Sequence, residues 1–486
     1  MALAISALRY NYVSIQSPTS GKKAVDLTKH LMHTEYFEDL LSPVITMKMR
    51  IRSEFNYIAK VPIRGGEMIA FSAQVGGTTV QFGEIDSAGN ITPNSGELYV
   101  YKLSDMSAPS QAQDFILNIT SVEFLKNETS RCQKKFKSQK ISEHVKDILN
   151  NVMKVNPDRI NKIEDSENSY AFIGNNRKPF YTIEWLCPKS ITNSVQGVSG
   201  DGASAQGKGT AGFLFYENRN GFNFTSVESL VRSTTLKDNK IKPVQNYVYK
   251  GQGATGNPYD TAENISINYF HYSKSTDVRQ ALSVGQYSNL TIFYDSLEQK
   301  FSRVEYKLNK ELGDNSKLGE NEVEVPKDLD QYVSRLYSRV SDHGALGVGE
   351  LGLEASGRDP VDQAKAISRY NALFSQSLNI QVPCNTNLKI GDIINVTFPE
   401  IKAGASKDID RSMSGNYLIS RLNHHMQPNA SFSSLNLIRD SYGHSEAYPV
   451  DTLQSGEIVE PELTGTSAQV QADNEQYGNT FPAGSF

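Results

Sequence analysis

The stretch SGNYLISRLNHHMQPNASFSSLNLIRD, Ser414 to Asp440, places two adjacent imidazoles, His424 and His425, in a chain of 486 residues that has eight histidines. Its hydrophobic spacing follows a period of two. As a strand it sets Leu418, Ser420, Leu422, His424 and Met426 on one face and Tyr417, Ile419, Arg421, Asn423 and His425 on the other. Adjacent imidazoles on a strand point to opposite sides and cannot chelate one ion. The segment therefore reads as a late strand of a β block, with one histidine turned to the core and one away from it.

Working outward, LNIQVPCNTNLKIGDIINVTFPE supplies further strands of the same block. Gly391 permits a turn, and Ile393, Ile394 and Val396 supply buried faces. A helix from Pro360 to Ser377, carrying Ala364, Ile367, Tyr370 and Phe374, leads into it. Upstream, Tyr247 to Gly357 holds a short helix, STDVRQALS, and a strand pair, YSNLTIFYDSLEQKFSRVEYKL, turning at Asp295 to Gln299. The polar stretch Asn309 to Asp328 reads as a loop, and SRLYSRVS is ambiguous between strand and helix.

Nearer the N-terminus, Thr34 to Thr129 is a succession of β-branched and aromatic runs broken by turns, which suggests a closed or nearly closed barrel. The period then changes. In ISEHVKDILNNVMK, Ile141, Val145, Ile148, Leu149, Val152 and Met153 share one helical face. PFYTIEWLCPK is a second helix, holding the lone tryptophan, Trp185. FLFYENRNGFNF alternates Phe213 and Phe215 before Asn220-Gly221 and Phe222 and Phe224 after it, a hairpin signal. The expected fold class is α+β and β-dominated, with two antiparallel β-barrels flanking a small α/β domain and a flexible acidic C-terminal tail. Its boundaries fall at 1–135 for the first barrel, 136–244 for the α/β domain and 245–359 for connecting strands and loops. The range 360–440 holds the helix and second-barrel strands, and 441–486 is the tail.

Composition narrows the function classes. With 38% hydrophobic residues and a formal net charge of −5, the chain reads as globular and ill suited to gripping a phosphate backbone. MALAISALRYNYV puts Arg9 inside its apolar run, so neither an export signal nor a membrane span is expected. Cys132, Cys187 and Cys384 are odd in number and form no CxxC, which reads as buried free thiols. The sequons at Asn118 and Asn223 read as strand residues. After Arg439 there is no Lys or Arg but eight Asp or Glu, a composition expected to be disordered in isolation.

Candidate chemistry is sparse. GASAQGKGT, Gly202 to Thr210, lacks the Ser or Thr that a phosphate-binding loop needs after its lysine, because Gly209 follows Lys208. His30, His33 and Glu35 lie close together, but the following residues look extended and no third ligand has a motif around it. There is no G-x-S-x-G elbow and no Cys/His signature. The carboxylates read as solvated surface. No catalytic, cofactor-binding or metal-binding residue is expected, and no cofactor.

The order of these features resembles the baseplate hub proteins of contractile-tailed bacteriophages, within the VgrG-like hub superfamily. The resemblance rests on EYFEDLLSPVITMKMRI, RGGEMIAFSA and DFILNITSVEFLKNETSRCQKKFKSQKISEHVKDILNN, then PFYTIEWL, the Phe213 hairpin, and LNIQVPCNTNLKIGDIINVTFP with SGNYLISRLNHHM. It covers about Asp26 to Asp440 with gaps. It implies a non-enzymatic homotrimer whose two barrels per chain make a pseudo-sixfold ring between the sixfold tail tube and the threefold central spike. The implied partners are the central spike protein, the tail tube or tube-initiator protein, the baseplate wedge proteins and the tape measure protein. Genome DNA would pass through the lumen without specific binding. The implied location is the virion tail baseplate, after synthesis in the host cytoplasm. A peptidoglycan-degrading tail-tip enzyme and the hub of a bacterial contractile injection device are the alternatives.

Overall fold

The computed structural model describes residues 8–442 except 19–22, 62, 76–77, 93–97, 108–111, 193–210, 232–242, 250–264, 275–276, 296–298, 308–316, 320–328, 330–331, 342–358, 400–408, 411 and 429. The near-P-loop at Gly202 to Thr210 and the acidic tail beyond Tyr442 lie outside the described residues. Strands dominate and helices are short, giving a β-dominated α+β fold. Among the described residues no helix is long and apolar enough to cross a membrane.

The first β block grows from alternation. Along Thr46–Ser53, Met47, Met49 and Ile51 are buried while Lys48, Arg50 and Arg52 point out, and Gln113–Ser121 buries Phe115, Leu117 and Ile119. These strands run antiparallel in the spatial order Leu31–Asp39, Thr46–Ser53, Gln113–Ser121, Leu98–Ser107, Met68–Val75, Leu8–Gln16. Two features depart from the sequence reading. Leu8–Gln16, read only as a non-leader, is a strand paired with Met68–Val75. The run DFILNITSVEFL is a strand only to Ser121, after which Val122–Thr129 is a helix.

The second block is built on Gly415–Met426. One of its edges pairs with Phe432–Arg439, which continues to Gln376–Pro383 and Tyr269–Lys274. Its other edge is shared. Gly415 to Leu418 pair with Ile393–Thr397, and Arg421 to Met426 pair with Leu31–Asp39 of the first block. The changeover falls at Ser420, where the pairing with Phe432–Arg439 also slips. There Leu40 donates its N–H to the Ser420 carbonyl at 2.8 Å, and Gly391 donates to the Ile419 carbonyl at 3.1 Å. Among the described residues the two blocks are thus hydrogen-bonded into one 15-stranded sheet, and their apolar residues form one core.

The helix before this block is Asp359–Leu373, shorter than the Pro360 to Ser377 expected from its spacing. Gln376 and Ser377 already pair with Arg439 and Ile438. The helix packs on a three-stranded sheet of Ser288–Asp295, Lys300–Lys307 and Arg335–Ser341, which resolves the ambiguous SRLYSRVS as a strand.

Between the blocks, Ile141–Asp147 is α-helical and continues as a π turn over Ile148–Val152, with Ile141, Val145, Ile148, Leu149 and Met153 buried as the spacing predicts. Pro179–Leu186 is the second helix. Trp185 lies edge-on to Tyr170 and Phe172, at 5.8 and 5.4 Å between ring centroids. The hairpin is Phe213–Asn218 with Gly221–Ser226, so its turn is Arg219-Asn220 and Gly221 is already a strand residue. Both its faces are buried. Phe213, Phe215, Phe222 and Phe224 fill the core of this α/β segment, while Leu214 and Tyr216 enter the core of the large sheet.

Gly221 sits at φ +118°, and a Cβ there would lie 2.1 Å from the Arg159 carbonyl oxygen. Gly221→Ala is expected to destabilise the protein by about 3 kcal/mol or more, combining left-handed strain with a backbone clash. Urea unfolding of the variant against the wild type measures it.

Candidate functional site

The hairpin that joins the two cores carries Glu217, and the strand that joins the two blocks carries Glu38; both carboxylates are buried, at 0% and 2% exposure. Glu38 falls on the buried phase of Leu31–Asp39 with Thr34 and Tyr36. Its Oε1 accepts from the Tyr36 hydroxyl and the Arg219 N–H, both at 2.7 Å, and its Oε2 accepts from the Ile390 N–H at 2.9 Å. Those donors come from the first block, the hairpin turn and the second block. Arg219 also donates through its guanidinium to the Thr386 carbonyl.

Glu217 makes the matching connection from the α/β segment. Its Oε2 accepts from the Ile45 N–H at 3.0 Å and the Ser121 hydroxyl at 2.7 Å, and its Oε1 from Arg159 Nη2 at 2.6 Å. Burial raises the pKa of Glu38 and of Glu217. Hydrogen bonds from Ile390 and Tyr36 oppose this at Glu38, and the Arg159 guanidinium opposes it at Glu217. Glu123, at the start of the Val122–Thr129 helix, is buried near Glu217. Burial first, and then repulsion from Glu217, pushes its pKa up to about 7.

His424 belongs to this junction. Its ring lies parallel to Tyr36 at 6.0 Å, and its Nδ1 is 2.8 Å from the Ser433 hydroxyl. Burial, reinforced by Arg219, lowers the His424 pKa to about 3, so the ring is neutral.

His425 points the other way, as the strand period requires. It is half-buried, stacked on Phe432 at 4.4 Å, with Nδ1 at 3.6 Å from Glu35 Oε1. His33 Nε2 is also 3.6 Å from Glu35 Oε1, because His33 and Glu35 share a strand face and His425 lies directly across from Glu35. The structure therefore brings together two histidines that the sequence reading kept apart. Among the described residues, however, no group of three or more His, Cys, Asp or Glu is arranged to hold a metal ion. His30 lies elsewhere, edge-on to Phe55 and Tyr57. Cys132, Cys187 and Cys384 are buried free thiols.

Reading the carboxylates as solvated surface is corrected at Glu38, Glu123 and Glu217. One signal was present: Glu38 occupies the apolar phase of an alternating strand. Glu217 and Glu123 gave none, because their burial depends on the hairpin and helix meeting the sheet.

Glu38→Ala leaves three buried donors without an acceptor and is expected to cost about 3–5 kcal/mol of stability. Chemical denaturation measures this. Glu123→Gln has the opposite sign. The wild-type folded state keeps Glu123 protonated up to about pH 7, whereas the unfolded chain releases that proton near the ordinary glutamate value of 4.5. Wild-type stability from this group therefore falls as pH rises between those values. Glu123→Gln is expected to match the wild type near pH 4 and exceed it by roughly 2 kcal/mol above pH 8, read by thermal melts across pH.

No family model matches the chain. It is 22% identical over 315 residues to the probable baseplate hub protein gp334 of Vibrio phage KVP40, covering 63% of this chain and 67% of that protein. Among solved structures, a tail protein from Neisseria meningitidis MC58 aligns with a TM-score of 0.49 at 13% identity, over 88% of this chain and 96% of the other. A type VI secretion system component from E. coli aligns with a TM-score of 0.43 at 10% identity, over 90% and 79%. By sequence, the chain is a relative of phage baseplate hub proteins.

Proposed function

We propose that this protein is a structural baseplate hub: a homotrimer in which each chain contributes two barrels, one from each β block, to a pseudo-sixfold ring between tail tube and central spike. The observation that carries the reading is the pairing of Leu31–Asp39 with Gly415–Met426, which joins the two blocks in one sheet. Two covalently linked blocks held rigidly in one chain are what a threefold assembly needs in order to present six similar edges. The relationship to a curated hub protein supports the same reading.

In this role the buried junction is architectural. Glu38, Glu123 and Glu217 are 0–3% exposed, so no substrate reaches them, and the first and last are occupied by backbone and arginine donors. A catalytic acid must touch the bond it cleaves, and that argues against a peptidoglycan-degrading role at this cluster.

The open face of the joined sheet suits a channel wall. Arg421 Nε is 2.9 Å from Asp39 Oδ2, and Arg50 Nη2 is 2.8 Å from Asp114 Oδ2. Lys48 lies over the Phe37 ring and directly across from Glu35. Cations already paired on the protein surface release few counterions from DNA, so a genome slides past rather than sticking. The partners would be the spike, the tube or its initiator, the wedges and the tape measure protein, in the tail baseplate of a virion or of a related injection device. The domain boundaries at 135, 244, 359 and 440 belong to this reading, as does an acidic tail from 441 that engages the spike.

Mass measurement of the purified protein with its spike partner is expected to give three chains per complex. Removing residues 443–486 is expected to weaken spike attachment. A chain that stays monomeric with its spike counts against the hub, as does clearing of purified peptidoglycan that a Glu→Gln change abolishes.

A further inference from the structure

The three-stranded sheet has two unlike faces. Asn289 and Thr291 of Ser288–Asp295 are buried toward the Asp359–Leu373 helix, where Asn289 Nδ2 donates to the Ser368 hydroxyl at 2.6 Å. The opposite face carries Ile292 and Tyr294, then Phe301, Leu336 and Val340, which are 73%, 58% and 68% exposed. Tyr294 and Phe301 touch ring to ring at 4.9 Å. A cluster of exposed large apolar side chains of this kind marks an interaction surface.

Its border is equally informative. Among the described residues Arg335–Ser341 pairs only with Ser288–Asp295, so its outer row of N–H and C=O groups has no ladder partner. Along this edge, chemistry alternates with the pleat. Leu336 and Val340 lie on the apolar face, while Arg335 and Arg339, both exposed, lie on the helix side with Tyr337. The strand, RLYSRVS, contains two arginines and no acid.

We propose that this edge docks an extended partner segment in which acidic and apolar residues alternate. Such a segment adds a strand to the open ladder. Its apolar side chains fall beside Leu336 and Val340, and its carboxylates fall beside Arg335 and Arg339, because an added strand repeats the two-residue alternation of its neighbour. The charge of the edge selects an acidic occupant, and the pleat fixes which of its residues carry the charge. The inference rests on this sheet alone and stands whether or not the hub assignment does.

The test uses the full chain and labelled peptides of strictly alternating glutamate and valine, or lysine and valine, read by fluorescence anisotropy. The glutamate peptide is expected to bind at least about tenfold more tightly than the lysine peptide. Leu336→Asp with Val340→Asp is expected to abolish binding. Arg335→Glu with Arg339→Glu is expected to transfer the preference to the lysine peptide. All four side chains are exposed, so unchanged thermal melts show that the fold is kept. Absence of binding, equal binding of the two peptides, or binding that survives the aspartate pair overturns the proposal. Concentration-dependent self-association that the aspartate pair removes and the glutamate peptide does not compete with assigns the surface to a second copy instead, and also overturns it.

Discussion

The carboxylate of Glu38 gathers donors from three parts of the fold: Tyr36 on its own strand, Arg219 in the hairpin turn and Ile390 in the second block. A buried charge is tolerable only when its lone pairs are occupied, and here each donor belongs to a different structural segment. The group can be satisfied only when all three are in place. Glu217 imposes the same condition on Ile45, Ser121 and Arg159. Apolar burial across the shared core supplies the driving force, while these two carboxylates restrict how the segments may fit together.

That restriction coincides with three local irregularities. Gly415–Met426 changes partners along one edge, and its pairing slips at Ser420, where that edge passes from Ile393–Thr397 of the second block to Leu31–Asp39 of the first. Gly221 lets the hairpin approach the Arg159 backbone, bringing Glu217 within reach of the Arg159 guanidinium. Gly391, at φ +84°, turns the chain next to the Ile390 N–H that Glu38 receives. Gly221 and Gly391 sit beside the buried acids because that is where these segments converge.

Local pattern was legible where one face of an element meets one kind of environment. The helical face from Ile141 to Met153, the phenylalanine alternation around Asn220 and the strand pair turning near Gln299 all follow from period and turn chemistry. The opposed directions of His424 and His425 followed from strand geometry alone. Legibility failed at Leu8–Gln16, whose strand character depends on pairing with Met68–Val75 some sixty residues later. It also failed at the end of the Asp359–Leu373 helix, where pairing of Gln376 with Arg439 overrides the apolar spacing that continues to Phe374.

The sequence by itself determined the β-dominated class, the central α/β segment, the turn-bounded strands and the separation of the two imidazoles, because each depends on contacts a few residues apart. Only the tertiary structure decided that the two β blocks share one sheet, that Glu38, Glu123 and Glu217 are buried rather than solvated, and that His33 and His425 flank one carboxylate. Those outcomes depend on which strand lies beside which. Residue 35 meets residue 425 only after the chain has closed on itself, and no local period encodes that meeting.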